Sequence, residues 1–225
     1  MPVSSYVLQT SHAAISVSES GGSGPPVLLV HGNSSCKEIF RNQLDGPIGR
    51  RWRLIAIDLP GHGRSANARN PERSYSMPGY ADMAVEVLDR LGVTRFAVLG
   101  WSLGGHIGLE MFTRHAGMAG LLATGTPPVP LTLDGIKAGF HFSEHMGLVS
   151  QVVFTEDEAQ SFANDTAGPN APYEPFVNNA YLQSIKYANL WDGRVHILPG
   201  LGHAVFWEAP QTFDPLFSRF LSDVL

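Results

Sequence analysis

The sequence predicts an α/β protein: a mostly parallel sheet flanked by helices, with a helical cap inserted late in the chain. Three observations carry that expectation. Val27-Leu28-Leu29-Val30 is apolar on both faces, the pattern of a strand buried inside a sheet. Arg53–Ile57 and Phe96–Leu99 repeat it, and between them Met83, Val87, Leu88 and Leu91 recur at helical spacing across Tyr80–Leu91. Strand, helix and strand in succession make a parallel sheet with crossover helices.

In chain order, Tyr6–Leu8 and Ala14–Val17 read as short strands, and Gly21, Gly22, Gly24, Pro25 and Pro26 form the turn before the buried run at 27–30. After Gly100 a helix is expected from Ser102 to His115, then a strand at Gly120–Thr124. The next segment opens with Pro127, Pro128 and Pro130 and carries two weak amphipathic stretches, which suits an insertion better than the sheet. Asn164–Pro175 is polar and Pro-rich. Asn178–Leu190 reads as a helix, Arg194–Leu198 as a buried strand, and Pro210–Leu221 as a terminal helix with Phe213, Leu216, Phe217, Phe220 and Leu221 on one side. The expected domains are a core of residues 1–126 and 173–225 and a cap of residues 127–172.

Composition narrows the function. The chain has 225 residues, 44% hydrophobic and 16% charged, which is enough for one sizeable core. With 15 Lys and Arg against 20 Asp and Glu, the formal charge is −5, and no basic run is present to neutralise a phosphate backbone. Nucleic acid is therefore not an expected partner. One cysteine, Cys36, forms no internal disulfide and no multi-cysteine metal cluster. No run of 18 apolar residues exists to span a membrane, and the first twelve residues lack the basic and apolar parts of a secretory signal. A cytoplasmic location and no membrane partner are expected.

The chemistry centres on Gly100-Trp101-Ser102-Leu103-Gly104, between a strand and a helix. A nucleophile raised on a sharp, strained turn needs small neighbours, and Gly100 and Gly104 supply them. At a helix N-terminus, the N–H of Leu103 is available to a developing oxyanion. A serine hydroxyl also needs a base, and nine histidines compete for that role. Only His203, in Gly200-Leu201-Gly202-His203, follows a late buried strand and so emerges at the carboxyl edge of the sheet beside Ser102. His106 lies one helical turn after Ser102 and should point into the core. His31, His62 and His115 read as structural.

A second oxyanion donor is the backbone N–H of Asn33, in the His31-Gly32-Asn33 turn that follows the strand at 27–30. Asp58-Leu59-Pro60-Gly61-His62-Gly63-Arg64-Ser65 reads as loop architecture, because the Walker lysine of a phosphate cradle is missing. His141-Phe142-Ser143-Glu144-His145 matches the H-x-x-E-H zinc pattern, but it falls in the cap and reads as a polar helix face. No metal and no cofactor are expected.

Over almost its whole length the sequence resembles the α/β-hydrolase superfamily, and within it the N-acyl-homoserine lactonases of that fold. The stretches that carry the resemblance are HGNSS at 31–35, DLPGHGRS at 58–65, RSYSMPGYAD at 73–82, GWSLGGHIG at 100–108, TGTPPV at 124–129 and NLWDG at 189–193, followed by GHAVFWEAP around His203. The resemblance implies that Glu174, in Tyr173-Glu174-Pro175-Phe176-Val177, orients the histidine. This chain has Tyr173 where the family commonly shows Asp. Residues 164–172 hold two prolines and no apolar run and form no central strand, so either the sheet lacks the member expected before the acid or the sequence lacks residues between about Ala167 and Tyr173.

The implied activity is metal-free ring opening of an acylated homoserine lactone by Ser102, His203 and Glu174, the small acylated lactone or ester being the partner. Trp101, Phe140, Phe154, Phe162 and Phe206 are the expected walls for the acyl tail. A general carboxylesterase or carbon–carbon bond hydrolase is the alternative enzyme. A lactone receptor with slow or single turnover is the alternative of another class. Acyl preference and oligomeric state do not follow from the sequence.

Overall fold

The computed structural model describes residues 2–126, 144, 145, 148, 155–167, 198 and 200–225. The strands are β1 (Ser4–Gln9), β2 (Ala14–Glu19), β3 (Pro26–Val30), β4 (Arg53–Ile57), β5 (Phe96–Trp101) and β6 (Met118–Thr124), ordered β1-β2-β4-β3-β5-β6 across one sheet. β3, β4, β5 and β6 run parallel, and β1 and β2 join antiparallel at one edge. The register aligns Val30 with Ile57 and Gly100, and Trp101 with Thr124. His31, Asp58, Ser102 and Gly125 therefore leave the sheet along a single carboxyl rim, where open α/β sheets bind ligands.

Both faces of the sheet are covered, as the apolar-on-both-sides strands require. On one face Leu28, Val30, Ile55, Ile57 and Val98 pack against α4 (Met77–Arg90) and α5 (Leu103–Phe112). On the other, Val27, Leu29, Leu54, Ala56 and Leu99 meet Ile39 and Phe40 of a 3₁₀ turn at Lys37–Phe40, α1 (Arg41–Asp45) and α2 (Pro47–Arg51). Also on that side lie α7 (Val205–Glu208) and α8 (Pro210–Val224). The remaining helices are α3 (Pro71–Ser74) and α6 (Glu156–Ala167).

Several boundaries differ from expectation for local reasons. α4 begins three residues before Tyr80 because the Ser76 hydroxyl accepts the Gly79 N–H at 3.1 Å and caps it. α5 stops at Phe112, short of His115, and α8 runs on to Val224. α6 extends through Ala167, so residues 164–167, read as the start of a polar closing stretch, are helical. The short helices at 37–51 and 71–74 had no periodic signal, being only about one turn long. The helix at 178–190 lies outside the described residues, as does the strand at 194–198 except for Leu198, which is in neither helix nor strand.

Candidate active site

Ser102 has φ 54° and ψ −115°, a conformation that L-residues rarely adopt. Strain of this kind is what a nucleophile elbow holds in place, and its surroundings account for it. The Ser102 N–H donates to Thr124 O at 2.9 Å, tying the turn to the end of β6. Gly104 has no room for a side chain, because a Cβ there would run into the Val30 carbonyl. α5 is thereby able to start directly above β3, with the Leu103 N–H at its open end.

The turn after β3 lies against this elbow. A Cβ on Gly32 would fall 2.8 Å from the Trp101 ring and 3.1 Å from Ser102 Cβ, so His31-Gly32-Asn33 and Ser102 are brought together. Ser34 has φ 58°, a second strained non-glycine residue. The Asn33 Nδ2, Ser34 Oγ and Ser35 Oγ atoms are enclosed and have no hydrogen-bond partner among the described residues, a concentration of unmet polar groups that marks a binding site better than a packed turn.

His203 stands on the same rim, just before α7. Its carbonyl accepts the Trp101 indole N–H at 3.1 Å, and its ring centroid is 5.6 Å from that of Trp101. Gly125, with φ 59°, lies beneath the imidazole: a Cβ there would fall 2.5 Å from His203 Nδ1. Glu208 accepts the Gly202 N–H at 2.5 Å and steadies the approach to the histidine. Burial lowers the His203 pKa to about 4, so the ring is neutral and able to act as a base near pH 7. No hydrogen bond joins the Ser102 hydroxyl to His203 among the described residues.

The other candidates fall as follows. Glu174, Phe140 and Phe154 lie outside the described residues. Phe162, on α6, and Trp101 are both buried. Phe206 needs correction: it is fully buried, stacked on Phe40 at 5.1 Å and edge-on to Trp101 at 5.6 Å. Its position after the histidine suggested a pocket wall, but its aromatic contacts make it part of the core beneath Trp101. His106 is buried, which lowers its pKa to about 4. His145 Nδ1 and backbone N each lie 3.0 Å from Asp165 Oδ2, an arrangement that engages this histidine with an acid of α6.

Asp58 is the architectural residue that the glycine-rich loop suggested. Wholly buried, it accepts hydrogen bonds from Lys37 N at 2.7 Å, Lys37 Nζ at 3.0 Å and Arg64 N at 2.9 Å. Lys37 Nζ also meets Glu38 at 2.9 Å. Cys36, Glu38 and Asp58 offer donor atoms within 4.8 Å of one another, yet the Lys37 ammonium already bridges the two carboxylates where a cation would have to sit. The cluster is an ion-pair anchor joining the turns after β3 and β4. Gly125, Thr126, Lys37 and Glu208 were missed as site-forming residues, although the first two fall in TGTPPV and Glu208 in GHAVFWEAP.

A strained serine at the mouth of a helix, on the carboxyl rim of a doubly covered parallel sheet with a histidine from the far end of the chain, defines an α/β hydrolase. The α/β-hydrolase fold family model matches residues 25–177, and the chain belongs to that family. Crystal structures of N-acyl homoserine lactonase AidH are similar over nearly the whole chain. The complex of one variant with N-hexanoyl homoserine shows 38% identity and a TM-score of 0.85, covering 99% of this chain and 97% of that one. A complex with N-butanoyl homoserine shows 39% identity and a TM-score of 0.84, covering 98% and 97%. An uncharacterized protein of Mycobacterium tuberculosis is 35% identical over 89 residues, 40% of this chain but only 25% of its own length. A 2-hydroxy-6-oxononadienedioate/2-hydroxy-6-oxononatrienedioate hydrolase of Pseudomonas sp is 26% identical across 91% of this chain and 78% of its own length. No helix among the described residues is long and apolar enough to cross a membrane.

Proposed function

We propose that this protein is a serine hydrolase that opens the ring of N-acyl homoserine lactones. The observation that carries the reading is the strained Ser102 at the start of α5, with the Gly32–Asn33 turn against it and His203 on the same rim. The choice of substrate rests on AidH, whose serine-to-glycine variant was crystallised with N-hexanoyl homoserine lactone and another variant with the ring-opened N-hexanoyl homoserine.

In the proposed reaction neutral His203 takes the Ser102 proton as Oγ attacks the ring carbonyl carbon. The carbonyl oxygen becomes an oxyanion held by the N–H groups of Asn33 and Leu103. The tetrahedral intermediate collapses, the ring C–O bond breaks, and the imidazolium protonates the departing alkoxide, which stays tethered as the alcohol of the acyl-enzyme. Water, deprotonated by His203, then attacks the ester and releases the N-acyl homoserine acid with Ser102 restored. Glu174 orients His203 and stabilises the imidazolium. In this reading residues 127–172 serve as the cap, and Phe140, Phe154, Phe162 and Trp101 are the residues assigned to the acyl tail. The setting is cytoplasmic, and the role is removal of acylated lactone signals.

The test is turnover of N-hexanoyl homoserine lactone beside a linear p-nitrophenyl ester, with Ser102→Ala as control. We expect lactone turnover above that of the ester, a product heavier by one water, and loss of activity in Ser102→Ala by about 10⁵-fold. Ester turnover equal to or above lactone turnover points to a general esterase. A single turnover that stops at the acyl-enzyme points to a receptor.

A further inference from the structure

In a trans peptide unit the C=O and N–H point in opposite directions across one plane, so a bond that holds the carbonyl also aims the N–H of the next residue. The two proposed oxyanion donors belong to the peptide units Gly32–Asn33 and Ser102–Leu103. Each of these units has its carbonyl held from behind by a side chain. His31 Nδ1 lies 2.6 Å from Gly32 O, and the single Thr126 hydroxyl hydrogen lies between Ser102 O at 2.9 Å, the nearer acceptor, and Thr124 O at 3.1 Å.

The His31 tautomer follows from its second contact. The Leu59 N–H donates to His31 Nε2 at 3.0 Å, so that nitrogen holds the lone pair and Nδ1 carries the hydrogen. Burial pushes the His31 pKa down to about 3, which keeps this neutral tautomer over the working range. Nδ1–H is thus the donor to Gly32 O.

Thr126 is admitted by an absence. A Cβ on Gly105 would collide with the Thr126 hydroxyl and lie 2.7 Å from Thr126 Cβ, so the first turn of α5 is pared back where the threonine docks. Ser102 O also accepts from Gly105 N at 3.0 Å within the helix, but the Thr126 bond comes from the segment that leaves β6. Thr124 O accepts the Ser102 N–H two residues earlier, so one short stretch grips both sides of the nucleophile. Hydrogen bonds to the carbonyls also polarise the amides and strengthen their N–H groups as donors.

We propose that Thr126 and His31 are positioning residues that aim the Leu103 and Asn33 N–H groups at the oxyanion, each by clamping the carbonyl on the opposite edge of that donor's peptide plane. The proposal rests on the serine-hydrolase reading above, whichever carboxylic ester is the substrate.

The test compares Thr126→Val, Thr126→Ser, His31→Asn and His31→Gln with the wild type in kcat, KM, melting temperature and affinity for phenylboronic acid, whose tetrahedral serine adduct presents an oxygen to the same donors. Thr126→Val should lower kcat by about tenfold or more and weaken phenylboronic acid in step, with KM within about twofold of wild type. Thr126→Ser should restore both. His31→Asn places an amide N–H donor at the δ position and should retain more activity than His31→Gln, whose amide oxygen and nitrogen both lie one bond further out, at the ε position, away from the Gly32 carbonyl. The proposal is overturned by wild-type kcat in Thr126→Val, by unchanged phenylboronic acid affinity despite a lower melting temperature, or by His31→Gln outperforming His31→Asn. Failure of the underlying reading is separate: it is seen as a wild type with neither ester nor lactone turnover and no binding of phenylboronic acid.

Discussion

The serine side and the histidine side of the site are built in different ways. Ser102 is held by backbone: its own positive φ, the Thr124 carbonyl on its N–H, and a glycine at 104 against the Val30 carbonyl. His203 is held by the Trp101 indole and the bare Gly125 beneath its ring, both from distant parts of the chain, and by the Glu208 carboxylate, from the short helix that follows it, on the neighbouring Gly202 N–H. The difference teaches that the position of the proposed nucleophile is a property of the fold, whereas that of the proposed base is a property of contacts that single substitutions can alter without unfolding the sheet.

After the loss of Ser102 itself, the largest expected effect exploits the histidine's dependence on its partners. Glu174→Gln should lower kcat/KM by about 10³–10⁴-fold, since a carboxamide neither fixes the tautomer nor stabilises the imidazolium. It should also move the acid limb of the pH profile. A carboxylate raises the pKa of a neighbouring histidine, and His203 must be neutral to act as base, so activity falls as pH drops through that pKa. Without the carboxylate, burial alone leaves the ring near about 4, and the limb should shift downward toward that value. An unmoved limb removes Glu174 from His203.

The next test compares two glycines. Gly104→Ala forces a methyl group into the Val30 carbonyl and should destabilise the protein by about 3 kcal/mol in chemical denaturation. Gly125→Ala displaces the imidazole and should lower kcat by about 10²-fold while changing the denaturation midpoint much less. Equal losses of stability would erase the distinction between the two sides. The smallest effect belongs to a site remote from both: Arg90→Ala removes the exposed i,i+4 pair with Glu86 on α4, and should shift stability by about 0.3–0.5 kcal/mol with activity unchanged.

Legibility in the sequence followed the range of the interactions involved. The strands at 27–30, 53–57 and 96–99 were readable because burial on both faces demands an unbroken apolar run, the last of them running on to Trp101 in the structure. The α4 core residues Met83, Val87 and Leu88 were readable because 3.6-residue spacing puts them on one face. The elbow was readable because its glycines neighbour Ser102 in sequence. Phe206 was misread, since nothing local distinguishes an aromatic that stacks on Phe40 from one that lines a pocket. Gly125 and Thr126 passed unnoticed as chemistry, because their partners, His203 and Ser102, lie 78 and 24 residues away.

By itself the amino-acid sequence determined the α/β class, the turn that carries Ser102 and the loops that end β3 and β4, because periodicity, steric size and turn chemistry act between residues close along the chain. Only the tertiary structure decided that the four parallel strands end in register, so that His31, Asp58, Ser102 and Gly125 share one rim, and that His203 rests on Gly125 beneath Trp101. Those relations depend on strand pairing and close packing, which join residues far apart in sequence and leave no pattern in any single stretch of it.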